Sequence, residues 1–448
     1  MNAFPTGDVT VMEMMQARDE RALRQRRLMP EDGALVCLTM NIPGPRKTSP
    51  MIYAAFQEGK RLIASALPQA AFAEQTLAKT GFEACYLLPG DVRQAKRVLC
   101  ALEDESPLGR LFDIDVLSSD GQKLSREELG FPPRKCFLCG QPAFVCARSR
   151  AHSVADMMEE INRRIAPLYR EQTLRRLSRA AVEALEQEAR TTPKPGLVDK
   201  RNCGSHPDMN LTMLLSSAKA LEGYFARCAQ LGFDCREEEL FPALQAAGVQ
   251  AEKDMLSVTG GVNTHKGAIF SLGILCAAST RCAADFQTEA DAVLRKAGDI
   301  ARPAVERYLA SITTAHTFGE KLYLQQGIRG IRGEAADGFP ALRALWPVFQ
   351  KEAEQLSLNE AGVRAIIRLL SHIQDTTLVK RGGPHGESFA RAQAQRIERN
   401  GFAMEEIIAL DDEMIARRLT CGGCADLLAC LYFLHATAWN AQSPENLP

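Results

Sequence analysis

The run Thr192-Pro-Lys-Pro-Gly-Leu-Val-Asp-Lys-Arg-Asn-Cys-Gly-Ser-His-Pro-Asp208 leads directly into Met209-Asn-Leu-Thr-Met-Leu-Leu-Ser-Ser-Ala-Lys-Ala-Leu-Glu-Gly-Tyr-Phe-Ala-Arg-Cys-Ala-Gln230. Its first part holds three cations, two carboxylates, a histidine and two glycines, a mixture that a merely connecting loop rarely needs. Pro193, Pro195 and Pro207 oppose helix and sheet ladders, so this part reads as an exposed, preset loop. The second part carries apolar residues three and four apart and reads as helix. A polar loop feeding a helix N-terminus presents unpaired N–H groups and the positive end of aligned peptide dipoles. With Lys194, Lys200 and Arg201 added, that is the chemistry of a polyphosphate site.

The same texture continues on either side. Leu168 to Arg190, Ala268 to Ser279, Ala290 to Ile312, Glu360 to Ile373 and Cys424 to Trp439 all show helical spacing, which makes the chain beyond about residue 165 all-α. Between these segments lie further loops bearing glycine, cation and acid. Gly260-Gly-Val-Asn263-Thr-His265-Lys266-Gly267 aims a lysine and backbone N–H groups at an anion, but lysine precedes the glycine and no hydroxyl follows, so it is not a Walker A loop. Gly327-Ile-Arg329-Gly-Ile-Arg332-Gly-Glu334-Ala-Ala-Asp337-Gly alternates guanidinium forks with carboxylates. His372-Ile-Gln-Asp375-Thr-Thr-Leu-Val-Lys380-Arg381 reads as the end of an apolar helix. Five of the seven histidines, His206, His265, His316, His372 and His385, fall in or beside these loops. No H-x-x-x-H or H-E-x-x-H pair is present, which disfavours hydrolytic zinc chemistry. Asp199, Asp208, Glu334, Asp337 and Asp375 are candidate carboxylates for a magnesium-bound triphosphate.

Residues 1–165 read differently, as an α+β domain. Strand-like runs at Ala34–Met40 and Arg110–Leu117 alternate with helical stretches at Val9–Arg27 and Asp91–Glu103. In the strand Phe112-Asp113-Ile-Asp115-Val, residues two apart share a face, so Asp113 and Asp115 project together and can hold Mg²⁺; a wet strand face that happens to carry acids is the plainer alternative. The loop Met40-Asn-Ile-Pro-Gly-Pro-Arg46-Lys47-Thr-Ser-Pro50 supplies cations and hydroxyls for a phosphate, or simply connects. Arg18, Arg21, Arg24, Arg26 and Arg27 read as a solvated helix face. Cys136-Phe-Leu-Cys139, with Cys146 and His152 following, offers four soft donors for Zn²⁺, against the alternative of ordinary reduced thiols. Met157 to Arg179 reads as a helix running from one part of the chain into the next.

The length of 448 residues calls for at least two cores. With 46% hydrophobic residues, 24% charged residues and a net charge of −1, the chain is an ordinary globular protein rather than a general nucleic-acid or membrane-surface binder. The N-terminus lacks the order of a secretory signal, and the apolar run Ala268–Ser279 is too short for a bilayer, so a cytoplasmic location is expected. Fourteen scattered cysteines are then expected as reduced, mostly buried thiols.

Thr192–Asp208, Gly260–Gly273, Gly327–Pro340, Asp375–Gly383 and Gly422-Gly-Cys-Ala-Asp426-Leu-Leu428, taken in order, resemble the triphosphoribosyl-dephospho-CoA synthase family. Asn41–Ser49, Gly109–Leu117 and Arg134–His152 resemble apo-citrate lyase phosphoribosyl-dephospho-CoA transferase, so the whole chain is similar to the fused, bifunctional form. The resemblance implies a nucleotidyltransferase-like α+β domain over residues 1–165 and an all-α domain over 166–448. It also implies that ATP and dephospho-CoA condense with loss of adenine, and that the product is moved onto a serine of the acyl carrier (gamma) subunit of citrate lyase with loss of diphosphate. Under this resemblance Asp208, Glu334 and Asp375 are candidates for base or charge stabiliser, with Asp208 and Asp375 also candidate Mg²⁺ ligands. His206 and His265 are candidate proton donors. Lys194, Lys200, Asn202, Asn263, Lys266, Arg329, Arg332, Lys380 and Arg381 would hold substrate. In the first domain Asp113 and Asp115 would bind Mg²⁺, with Arg46 and Lys47 on the leaving diphosphate. Three alternatives stand beside this: the equivalent pathway for malonate decarboxylase, a zinc-stabilised N-terminal module that docks the carrier without catalysis, and a helical half that only senses ATP.

Overall fold

The computed structural model describes residues 5–284 and 289–438. They fall into two compact units that divide between Thr173 and Leu174, one mixed and one helical. The division lies inside the long helix Val154–Arg190, which carries Pro167 and contains the expected Met157–Arg179.

The first unit is built on one antiparallel sheet of four strands in the order β2-β3-β1-β4. In chain order the elements are α1 (Val11–Leu28), β1 (Ala34–Met40), α2 (Pro50–Ala66), β2 (Ala71–Ala78), β3 (Gly81–Leu88), α3 (Val92–Glu105), β4 (Phe112–Ser118), α4 (Ala143–Ser149) and α5 (Val154–Arg190). Local chemistry sets the helix starts: Thr10 and Glu13 form a capping box at α1, Ser49 caps α2 with Pro50 in its first turn, and Asp91 caps α3. One sheet face is apolar, with Leu38, Ala84, Ile114 and Val116 fully buried. α2 lies close on it because Gly59 has no side chain: a β-carbon there would stand 3.0 Å from the Phe112 ring and 3.1 Å from Leu38.

The other face carries a polar row set by register, with Glu83, Thr39 and Asp113 side by side and Cys85, Cys37 and Asp115 in the next row. The arginines of α1 are not merely a solvated face. Arg21 and Arg24 both bind the carboxylate of Glu83, which is only 8% exposed, and Arg27 binds Glu74. A buried carboxylate needs such partners, and two guanidinium forks supply them.

The second unit is helical: α6 (Leu211–Ala220), α7 (Glu222–Asp234), α8 (Glu237–Val258), α9 (Lys266–Ala284), α10 (Ala290–Ser311), α11 (Phe318–Gln326), α12 (Gly330–Ala336), α13 (Pro340–Gln355), α14 (Leu358–His372), α15 (Thr376–Arg399), α16 (Met404–Ala416) and α17 (Gly422–Thr437). The expected single helix Met209–Gln230 is two, meeting at Leu221. The expected loop Gly327–Gly338 contains α12, and Asp375 does not end a helix but begins α15, whose path bends at Gly383 with φ +62°. Trp439, taken as the end of the last helix, lies outside the described residues.

α9 is the centre of this unit, packed against α7, α8, α10 and α17. At 19 residues it is longer than the apolar run Ala268–Ser279, and an 18-residue window of mean hydropathy 1.4 makes it long and apolar enough to cross a membrane, but 78% of that window is buried within the protein. A helix apolar all round is what a core position requires. α7 and α9 approach through reciprocal glycines. A β-carbon on Gly232 of α7 would strike Thr280 and the Ala277 carbonyl of α9, and one on Gly273 of α9 would strike the Tyr224 hydroxyl of α7. That hydroxyl donates to the Ile269 carbonyl at 2.9 Å. Gly232→Ala is therefore expected to destabilise the helical unit by about 1–3 kcal/mol through overpacking. The check is a lowered denaturant midpoint for loss of helical signal, with an unchanged midpoint counting against this packing.

Candidate functional site

The Thr192–Asp208 segment is ordered by two buried carboxylates. Asp199, 4% exposed, accepts from the backbone N–H of Lys194 at 2.9 Å, Arg201 at 2.6 Å and Asn202 at 3.1 Å, and from the Thr192 hydroxyl at 2.9 Å. Asp411 on α16, fully buried, accepts from the Gly196 N–H at 2.9 Å and the Asn202 amide at 2.8 Å and pairs with Arg201. The expected exposed loop is thus largely interior: Pro193 to Asp199 is buried. Lys194 is no mobile phosphate ligand. It is 1% exposed, and its ammonium donates to the Glu188 carbonyl at 2.6 Å and pairs with the Glu188 carboxylate, because a cation at that depth needs an anion of its own.

The loops after this segment converge. A cavity of about 680 Å³ is lined by Asn263, Lys266 and Gly267 before and at the start of α9, by Arg329, Glu334 and Asp337 around α12, by His372 and Asp375 between α14 and α15, and by Gly423 and Asp426 of α17. A second cavity of about 220 Å³ shares Asn263, Lys266, Gly267 and Asp426 and adds Glu188, Lys194, His206 and His265.

Asp375 fixes the geometry. Only 2% exposed, it accepts from the backbone N–H groups of Thr377 at 2.8 Å and Leu378 at 3.0 Å in α15 and from Cys424 at 2.9 Å in α17. Burial raises its pKa even against three backbone donors. Asp208 is exposed and lines neither cavity, so it does not stand beside Asp375 as a second Mg²⁺ ligand.

Asp426, one and a half turns into α17, lines both cavities and is the carboxylate that motif reading passed over. It accepts from the Ala268 N–H at the first turn of α9, and it lies so close to Gly267 that a β-carbon there would collide with its oxygens. Burial first, then the charges of Asp375 and Glu188, push its pKa well above the usual carboxylate range. The signal available in the sequence was the short Gly422-Gly-Cys-Ala-Asp426 run; the residues that shift Asp426 lie far away along the chain.

The expected cations and histidines divide. Lys266 pairs with Glu252 at 2.7 Å and Arg329 with Asp337 at 2.8 Å, both at the cavity and partly exposed. Arg332 stacks 4.5 Å from the Tyr308 ring and lines two adjoining cavities, one of them shared with Lys266, Gly267 and Arg329. Glu334, raised in pKa by burial, accepts from the Ala341 N–H at 3.2 Å. Asn263 caps α9 by accepting from the Lys266 N–H at 3.2 Å. Lys200, Lys380 and Arg381 are exposed and line neither cavity, although Arg381 donates to the Ser205 carbonyl at 3.3 Å. His206 shares a 2.9 Å hydrogen bond with Thr420, and its buried Nδ1 has no hydrogen-bond partner among the described residues. His265 is 4% exposed, with Nε2 donating to the Leu214 carbonyl at 3.1 Å. Burial lowers the pKa of both, with Arg381 adding to the effect at His206.

In the first unit Asp113 and Asp115 do share a face of β4, each answered by one cation: Arg134 at 3.2 Å from Asp113, Lys123 at 2.6 Å from Asp115. Lys47 donates to the Ile42 carbonyl at 2.6 Å, while Arg46 stands exposed 3.4 Å from Asp8. Cys136, Cys139, Cys146 and His152 are gathered with their ligand atoms all within 4.8 Å of one another. All fourteen cysteines are free thiols.

Comparison with known proteins gives two family matches. Residues 9–167 match the apo-citrate lyase phosphoribosyl-dephospho-CoA transferase family, and residues 174–444 match the ATP:dephospho-CoA triphosphoribosyl transferase family. The chain is 32% identical over 453 residues to Protein CitXG of Haemophilus influenzae, covering 95% of this chain and 96% of that one. It is 32% identical over 468 residues to Protein CitXG of Leuconostoc mesenteroides subsp. cremoris, covering 97% and 98%. A 2-(5''-triphosphoribosyl)-3'-dephosphocoenzyme-A synthase of Escherichia fergusonii is 38% identical over 264 residues, covering 56% of this chain and 87% of that one.

The buried histidines carry a pH dependence. A folded state that lowers the pKa of His265 below its ordinary 6.5 favours the neutral ring, so on acidification the unfolded chain takes up the proton first. Stability from this group is present above that value and is lost as pH falls. The thermal midpoint of the helical unit is expected to drop between about pH 7 and about pH 5.5, and His265→Gln to flatten that drop. An identical slope in the variant would exclude His265 as its source.

Proposed function

Because the chain belongs to the fused family that joins an apo-citrate lyase phosphoribosyl-dephospho-CoA transferase to an ATP:dephospho-CoA triphosphoribosyl transferase, we propose how its two units divide the work. The protein is a bifunctional transferase that builds the citrate lyase prosthetic group. In this reading the helical unit performs the synthesis and the mixed unit, with a nucleotidyltransferase-like arrangement, performs the transfer. The observation that carries it is the convergence of four separate loops on one cavity, with Asp426 at its junction with the next.

In the helical unit a hydroxyl of dephospho-CoA attacks the ribose anomeric carbon of ATP, the bond to adenine breaks, and the triphosphate stays on the sugar. Asp426 is the base that takes the hydroxyl proton. Its place between the cavities lets it meet both substrates. Asp375 is a positioning residue, holding the starts of α15 and α17. The first turn of α9, with Lys266 and Arg329 released from their acids, receives the phosphates. His206, whose Nδ1 has no protein partner among the described residues, donates the proton that the leaving adenine takes up.

In the mixed unit Asp113 and Asp115 offer two hard oxygen donors on one strand face, which fit Mg²⁺ once Arg134 and Lys123 move aside. Bound there, the ion would stabilise charge on the departing diphosphate. Arg46 and Lys47 flank that role, and a serine of the citrate lyase acyl carrier subunit accepts the group.

Incubating the full chain with ATP and dephospho-CoA is expected to release adenine, read by chromatography. Asp426→Asn is expected to lower kcat by about 10²–10⁴-fold with KM little changed; a variant as fast as the parent would remove Asp426 from the chemistry. Asp113→Asn is expected to leave adenine release intact and abolish labelling of the carrier. Survival of labelling would make the mixed unit a docking module only, and preference for the malonate decarboxylase carrier would reassign the pathway.

A further inference from the structure

We infer that Cys136, Cys139, Cys146 and His152 form a structural zinc site that organises the segment between β4 and α5. The segment from residue 119 to residue 153 has almost no core of its own: Arg126, Leu129 and Cys146 are its buried residues, and its regular structure is a three-residue 3₁₀ turn and α4. A stretch this poor in apolar burial needs another source of order, and a metal tie is the usual one.

The four donors are arranged as a tetrahedral ion requires. Cys139 and Cys146 sulfurs lie 3.3 Å apart, His152 Nε2 lies 3.3 Å from the Cys139 sulfur, and the four ligand atoms lie within 4.8 Å of one another. Thiolates around one zinc at about 2.3 Å would stand about 3.8 Å apart, a small expansion of what is seen. The backbone is shaped to match. Cys136 and Cys139 bracket a turn in which the Leu138 N–H points at the Cys136 sulfur at 3.5 Å, Gly140 takes φ +70°, and the Cys136 N–H closes the loop on the Gln141 carbonyl at 2.6 Å. Cys146 comes from α4, and the left-handed Arg150, φ +50°, turns the chain so that His152 returns to the cluster.

Soft sulfur and imidazole donors select zinc over magnesium. Three cysteines and one histidine complete the tetrahedron and leave no open position for water or substrate, so the ion is structural. The site is separate from the Asp113 and Asp115 pair, whose oxygen donors suit a different ion.

The test uses the full chain purified without a metal-chelating tag. Elemental analysis is expected to find about one zinc per chain, and a mercurial thiol reagent to release it. Cobalt exchange is expected to give the intense visible bands of a tetrahedral thiolate site. Cys136→Ser is expected to lose the zinc and lower the thermal midpoint of the mixed unit, and His152→Cys to retain it, which separates loss of ligand from loss of fold. Adenine release reports that the rest of the chain is intact, so failure here is distinguishable from failure of the proposed synthesis. Three freely titrating thiols at Cys136, Cys139 and Cys146 with no metal, or a Cys139–Cys146 disulfide in the freshly purified protein, would each overturn the site.

Discussion

A single carboxylate placed between two helix starts organises the cavity of the helical unit. Asp375 takes two N–H groups from α15 and one from α17, and in doing so meets the positive ends of both helix dipoles from a position almost out of reach of water. Gly423 and Asp426 follow in the first turns of α17, and Thr376 and Thr377 in the first turn of α15, so the cavity wall inherits its shape from that one contact. The cost of burying the acid, visible in its raised pKa, is met by donors that would otherwise be orphaned.

Around this point charges are consistently answered by charges. Lys194 has Glu188, Lys266 has Glu252, Arg329 has Asp337, and Arg201 has Asp411 and Asp412. The interior pairs hold the scaffold. The pairs at the cavity rim are partly exposed, hence weak. Depth separates the committed cations from the exposed ones, and the same division appears in the mixed unit, where Arg21 and Arg24 are committed to buried Glu83 and Arg46 is exposed.

Much of this was legible in the sequence, and the reasons for the remainder are physical. Strong periodicity revealed the helical second unit, and alternation revealed β1, β4 and the shared face of Asp113 and Asp115. β2 and β3 were missed because Ala71–Ala78 is a half-exposed edge strand with no clean alternation, and its partner was read without it. α15 carries an internal proline beside a kinked glycine, a combination that reads as a loop. The site showed the same limit. Cys136, Cys139, Cys146 and His152 are neighbours in sequence and were found together. Asp426 draws its character from Gly267, Asp375 and Glu188, none of them near it along the chain, and Lys194 looked mobile because its partner's depth is a tertiary fact.

The reciprocal glycines of α7 and α9 have a mechanical meaning. Each helix keys a side chain into a notch in the other, Tyr224 over Gly273 and Thr280 over Gly232, so neither can slide along its axis without lifting both keys at once. The centre of the helical unit is therefore a doweled joint that resists axial slip.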